Sequence, residues 1–239
     1  MRILSIGTSS KKCTVAVLED KKVIKEININ DGLTHSQNLM PAIDMILKET
    51  TFDLNDMDYY AVSIGPGSFT GIRIGVATIK GLCLGCDKPV VGVPSLLALC
   101  YNYKSDCDYI VSCLDAKNDN IYAGIYDCKK DTMPTLLDDY ISDNVEILKA
   151  KLDSLNGKIV FVGDGANLLG KISESELEYA SSIGLAAFDM IEKGIITDGV
   201  HVSPLYLKKS QAERELESKE NKWLQLKKCK KNILMMCMK

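Results

Sequence analysis

The chain has 239 residues, of which 46% are hydrophobic and 26% charged. That is enough to bury a real core, as one large domain or two small lobes, and too apolar for a disordered chain. A net charge of −3 excludes a generally basic nucleic-acid binder while leaving room for a local basic patch. Met1 to Gly7 is strand-like and lacks the apolar stretch of a secretory signal, and no apolar run reads as long enough to span a bilayer. Nine cysteines without an export signal then read as reduced, mostly buried thiols in a cytoplasmic protein.

Three β-type runs come first, Arg2–Ile6, Cys13–Glu19 and Val23–Ile29. The turn-like stretches Gly7-Thr8-Ser9-Ser10 and Asp20-Lys21 separate them, which predicts a three-stranded meander. Leu39, Ile43, Ile46 and Leu47 then share one helical face. Thr34 and Gln37 have capping-box spacing, which puts Pro41 inside the helix and predicts a kink. The alternative start, a cap at Asn38, leaves Pro41 in the first turn. Tyr59–Ile64 reads as a buried strand, followed by a glycine-rich turn and a helix to about Cys86. Val90–Val93 is a strand and Ser95–Tyr101 a helix.

A similar order then starts again. Tyr109–Leu114, Ile121–Tyr126 and Leu136–Ile141 read as strands, Asn144–Leu155 as a helix, Ile159–Val162 as a strand ending in Gly163-Asp164-Gly165-Ala166, and Ser182–Lys193 as a helix that Gly194 closes. Two lobes of one topology fit, with the second copy eroded: residues 1–103, then 104–207. Residues 208–239 differ in character, with ten Lys/Arg and four Glu, +6 against −9 for the remainder. Leu216, Trp223 and Leu226 could stripe a long polar helix there, and Lys227-Lys228-Cys229-Lys230-Lys231 offers a surface to RNA or an acidic partner. A solvated helix with a frayed end is the favoured reading, packed on the first lobe or extending away from it.

Ser63-Ile64-Gly65-Pro66-Gly67-Ser68-Phe69-Thr70-Gly71-Ile72-Arg73-Ile74-Gly75 carries the most information. Glycines after a buried strand free the backbone and bare peptide N–H groups at a helix N-terminus. No Gly-Lys-Ser/Thr closes a phosphate loop, so a tight strand-to-helix turn capped by Ser68 or Thr70 is favoured. In the following helix Gly71, Gly75, Thr78 and Leu82 make a mostly small face that lets another helix approach closely, in this chain or a second one. Cys83 and Cys86 lie inside that helix and read as core rather than as a redox or zinc pair.

These motifs resemble the TsaB (YeaZ) family, a member of the actin, Hsp70 and sugar-kinase fold. The resemblance runs from Ile3 to about Ala212. It takes in Ile3-Leu4-Ser5-Ile6-Gly7-Thr8-Ser9, His35-Ser36-Gln37-Asn38-Leu39-Met40-Pro41, the glycine segment, Gly92-Val93-Pro94-Ser95-Leu96, Leu114-Asp115-Ala116, Gly163-Asp164-Gly165-Ala166 and Pro204-Leu205-Tyr206-Leu207. It implies an α/β, two-lobed actin-like ATPase/ribonuclease H-like fold of duplicated βββαβα topology. It also implies a non-catalytic subunit that supports a TsaD-type threonylcarbamoyl transferase acting on adenosine 37 of tRNA, with a TsaE-type ATPase joining the pair. On its own the chain is expected to form a homodimer, and tRNA is reached only through the complex.

The sister transferase carries a His-x-x-x-His metal pair where this chain has Ser95 and Leu99, neither of which offers an imidazole nitrogen. His35 and His201 are isolated, and His35 reads as a helix-start packing residue. For nucleotide the weak candidates are Thr8 and Asp115. The expected aspartate before Thr8 is Gly7, and Asp115-Ala116-Lys117-Asn118 lacks paired glycines. No cofactor or metal is expected. By the same resemblance the association surface comprises the helices Gln37–Lys48 and Thr70–Leu84, with Leu39, Ile43, Ile46, Gly71, Ile72, Gly75, Val76, Thr78, Ile79 and Leu82 as its residues. Three rivals remain: an ATP-binding phosphotransferase using Thr8 or Asp115, a metallopeptidase needing metal ligands, and an RNA-binding module using the tail.

Overall fold

The near-continuous apolar runs of the first two strands are buried on both faces, while the third strand is a largely exposed edge. In the computed structural model, which describes residues 1–103, 106–128 and 133–208, β1 (Arg2–Gly7), β2 (Cys13–Glu19) and β3 (Lys22–Ile29) form the antiparallel meander. The chain then crosses through α1 (His35–Thr50) to β4 (Tyr59–Gly65), and through α2 (Phe69–Cys86) to β5 (Val90–Pro94). β4 lies parallel to β1 and β5 parallel to β4, giving the order β3-β2-β1-β4-β5. Helical crossovers are what parallel neighbours require. The short α3 (Ser95–Cys100) follows.

Leu4, Ile6, Val15, Val17, Tyr60 and Val62 pack with α1 and α2 in one core cluster. The alternate residues Ile3, Ala16, Leu18, Ala61, Val91 and Val93 belong to a different cluster. Period-two alternation thus assigns each strand residue to one layer.

The second half repeats the opening. β6 (Tyr109–Asp115) and β7 (Asn120–Asp127) pair antiparallel, and β7 pairs with both β8 (Thr135–Leu136) and β9 (Ile141–Asn144). The continuous strand expected over Leu136–Ile141 is therefore two short strands. Asp138 and Asp139, both exposed, lie in the break, where carboxylates favour water over a ladder. α4 (Val145–Leu152) leads to β10 (Ile159–Val162), parallel to β6. Where the first half continues into a long helix and a fifth strand, the second has a short 3-10 turn at Asp164–Leu169.

The last helix, α5 (Ala180–Glu192), differs from the sequence expectation in where it packs. Its place in the chain order puts it in the second half, yet its apolar face (Ile183, Ala186, Ala187, Phe188, Met190) shares a cluster with Ile3, Leu18 and Val91 of the first sheet, with α3, and with Ile110, Tyr126 and Val162 of the second. Residues Met1–Leu207 accordingly form one compact unit. The strands divide near residue 103, but the packing does not. The expectations for the tail fall on 209–239, outside the described residues.

α1 begins at Thr34, whose N–H donates to Gln37 Oε1 at 3.1 Å, so Pro41 stands inside the helix and Asn38 is no cap. Asn38 is buried and donates to Asp31 Oδ1. α2 meets the length and composition of a membrane span, against the expectation that no stretch does. Its buried residues Ile72, Val76, Ile79 and Cys83 nevertheless cover the first sheet.

Candidate functional site

The glycine segment forms a turn that brings three parts of the chain together. Gly65 has φ +109, in the left-handed region that favours glycine, and a side chain there would run into Leu205 O and Ile72. A side chain at Gly67 would run into the backbone of Ser9, whose carbonyl accepts from Ser68 N at 2.7 Å. Ser68 caps α2 by accepting from Gly71 N.

Thr8, a nucleotide candidate, is fully buried and its hydroxyl donates to Gly71 O at 2.8 Å. The Thr8 carbonyl oxygen stands where a Cβ on Gly71 would be, and its hydroxyl crowds Gly75 in the same way. Thr8 is therefore a lock between β1 and α2. Gly71 and Gly75 admit this neighbour within the chain and no second helix.

The same correction applies to most of the predicted docking residues. Leu39, Ile43, Ile46, Ile72, Val76 and Ile79 are at most 3% exposed and pack against the chain's own sheet. Helical periodicity identifies an apolar face, and this chain uses that face itself. Thr78 and Leu82 are half-buried. The accessible residues are on the opposite sides of the two helices: Met40, Pro41 and Met45 on α1, and Thr70, Ala77, Gly81, Leu84 and Gly85 on α2. A Cβ at Gly81 or Gly85 would meet nothing within 4 Å. Thr70, Ala77, Gly81 and Gly85, with the half-buried Ile74 at its margin, make a second stripe facing solvent that periodicity alone does not single out. Its small residues at intervals of three and four were visible; which stripe faced inward was not.

Beyond the carboxyl ends of β1, β4, β6 and β10, a cleft of about 600 Å³ is lined by residues that include Ser9, Lys11, His35, Leu99, Asp115, Lys117, Tyr122 and Glu178. Glu178 is its most perturbed group. The carboxyl is 3% exposed, and burial pushes it up to about 7 against the downward pull of the Ser63, Ser9 and Ser95 hydroxyls. Ser63 and Ser9 donate to Oε2 at 2.9 and 3.1 Å, and Ser95 Oγ lies 2.8 Å from Ser63 Oγ. Oε1 has no hydrogen-bond partner among the described residues, and a Cβ on Gly7 would come within 3.1 Å of it. The sequence reading passed over Glu178, because one glutamate in a polar stretch gives no periodic signal.

Asp115 lies in this cleft but is engaged. The Lys117 ammonium at 2.8 Å, with the Lys117 N–H at 2.7 Å, holds its carboxyl below the ordinary range, and its own N–H donates to Asp164 Oδ1. Ser95 and Leu99 are buried in α3. His35 Nε2 donates to Ser10 O at 2.9 Å, tying α1 to the loop after β1, while His201 lies elsewhere against Asp198. Among the described residues no three His, Cys, Asp or Glu side chains converge as metal ligands would.

Two sheets that each open with an antiparallel meander and add a parallel strand after a helix define the class, a duplicated actin-like α/β fold. Residues 26–232 match the family model described as TsaD: tRNA N6-adenosine threonylcarbamoyltransferase. The chain is 29% identical to the tRNA threonylcarbamoyladenosine biosynthesis protein TsaB of Escherichia coli, over 92% of this chain and all of that protein. To the protein of the same name from Bacillus subtilis it is 32% identical, over 78% of this chain and 81% of the relative. In fold it is similar to YeaZ from Pseudomonas aeruginosa, at TM-score 0.76 and 23% identity, with 86% of this chain and 99% of that one covered. The chain belongs to the TsaB (YeaZ) family within the TsaD-like group, whose named members act in tRNA threonylcarbamoyladenosine biosynthesis.

Proposed function

We propose that this chain is a non-catalytic subunit that docks onto a TsaD-type threonylcarbamoyl transferase through the outward faces of α1 and α2. The observation that carries the reading is the exposed stripe of Ala77, Gly81 and Gly85 on α2, together with exposed Met40 and Met45 on α1. Small residues let a partner's helices approach closely, and the flexible methionines supply adaptable apolar area around the contact. Thr78 and Leu82, half-buried at the edge, stay within the proposed surface. A homodimer through this face is the state of the chain alone, since a patch fitted to a sister fold can fit itself. A TsaE-type ATPase joins the assembled pair in the cytoplasm.

The non-catalytic part rests on the engaged state of the candidate nucleotide residues and of the positions where the sister transferase holds its metal. Asp115 is committed to Lys117, Thr8 to Gly71, and Ser95 and Leu99 to the core. The test is co-purification with the transferase from the same cell, comparing wild type with Gly81→Arg. Association is expected to be lost without any drop in melting temperature, because position 81 faces open space among the described residues and arginine suits a helix better than glycine. Retained association with this variant overturns the surface. Threonylcarbamoyl transfer or ATP turnover by the chain alone overturns the non-catalytic reading.

A further inference from the structure

An arginine packed against two neighbouring rings lies on the edge of α2, about a quarter turn from the proposed docking stripe. The Arg73 guanidinium carbon stands 3.9 Å above the Phe69 ring and 5.6 Å from the Tyr206 ring. Its Nε donates to Tyr206 OH at 2.7 Å, and the two rings are tilted with centroids 4.7 Å apart. Arg73 is exposed, Phe69 partly so, and Tyr206 is 42% exposed. No carboxylate pairs with Arg73 among the described residues. The nearest structural reason for such a cluster would be a strap holding down the 198–207 segment, but that segment is anchored by its backbone. Leu205 N donates to Ile64 O at 2.7 Å, Thr197 and Val90 form a bridge, and Lys80 Nζ donates to Val200 O at 2.9 Å. The acid on this segment, Asp198, is taken by His201 and by the N–H of Val200.

An arginine stacked on an aromatic, with its outer N–H groups free, presents both a flat π surface and a fork of donors matched to phosphate. Exposed pairs of this kind take unstacked bases and the adjoining backbone of single-stranded nucleic acid. The pathway of this family has tRNA as its substrate, and a polyanion complements an unpaired arginine. We infer that Phe69, Arg73 and Tyr206 form a stacking platform for a single-stranded segment of tRNA, contacted directly by this chain within the transferase complex. The inference rests on the docking reading and adds to it, since that reading brings tRNA to the chain only through its partner. Lys80, two turns along the same flank of α2, lies where the next backbone phosphates would pass.

The experiment uses the purified pair of this chain with its transferase and an unmodified tRNA transcript, with affinity read by fluorescence anisotropy at two salt concentrations. Arg73→Ala is expected to weaken tRNA binding roughly tenfold and to flatten the salt dependence by about one counterion. Tyr206→Ala is expected to weaken it by a smaller factor, and Arg73→Lys, which keeps the charge without the plane, to fall between wild type and Arg73→Ala. Co-purification and melting temperature should stay at wild-type values. Affinity of Arg73→Ala within twofold of wild type overturns the platform. Loss of co-purification also overturns it, by assigning the cluster to the protein contact. If wild-type chain fails to co-purify, the docking reading falls; the same tenfold difference is then sought on the isolated chain, and its absence there sinks the platform as well.

Discussion

The two sides of α2 are built from the same kind of residue and do opposite work. On the inner side Gly71 and Gly75 leave room for Thr8, whose carbonyl and hydroxyl fill the space a Cβ would need. On the outer side a Cβ on Gly81 or Gly85 would meet nothing within 4 Å among the described residues. Residue type records that something comes close at both places. Only the position of β1 reveals that the inner visitor is the chain's own strand end. The outer glycines lower helix propensity without any return among the described residues, a cost that the proposed docking of another molecule would offset.

The comparison can be broken most severely at its inner side. Gly71→Ala would put a methyl into the Thr8 carbonyl oxygen, a backbone atom that cannot rotate away. It is expected to destabilise by about 3 kcal/mol or more, or to leave the chain insoluble, read by urea unfolding. Gly75→Arg, which would seem a docking variant from the sequence, belongs with it: its first effect is expulsion of Thr8. Wild-type stability for Gly71→Ala would mean that the β1 lock is not closed in solution.

The next effect in size concerns the cleft at the strand ends of the same sheet. The Glu178 carboxyl titrates at about 7 in the folded chain against 4.5 when unfolded. Below pH 4.5 it is protonated in both states and stability is unaffected. As pH rises from 4.5 to 7 the unfolded chain ionises while the folded chain does not, so stability falls. Above 7 the loss levels off at about 3 kcal/mol. Glu178→Gln removes the titration. The difference in unfolding free energy between variant and wild type should therefore grow in the variant's favour from pH 4.5 to 7. A pH-independent difference would show the carboxyl to be solvated.

The smallest effect sharpens the comparison at the outer side. Gly81→Ala fills open space on a helix and is expected to stabilise the isolated chain by about 0.5–1 kcal/mol, measured by thermal and urea unfolding. The same substitution should weaken association with the transferase, since a methyl would stand in the close approach. A variant that gains stability and keeps full association would remove the reason for a glycine there.

Much of this was legible beforehand. The meander, the order of strands and helices and the eroded second half follow from alternation and turn residues, which act over a few neighbours; capping spacing left two starts for α1, of which the structure takes Thr34. The outward faces of the proposed docking surface were not legible, because periodicity gives the apolar face of α1 and α2 without saying what covers it. Leu39, Ile43 and Ile46 carry the same pattern whether a sheet or a partner lies against them. Glu178 was invisible for the opposite reason. Its shifted titration arises from Ser9, Ser63 and Ser95, which lie 83 to 169 positions away in the chain.

The sequence by itself determined the order of elements, the repeated topology and the family, since each is written in local spacing or in motifs that keep their order. Tertiary structure alone decided which face of each helix is spent inside the chain, that α5 crosses to the first sheet, and that one carboxyl is buried in the cleft. Those outcomes depend on which distant surfaces exclude water from one another. No local pattern encodes that until the sheet has closed against its helices.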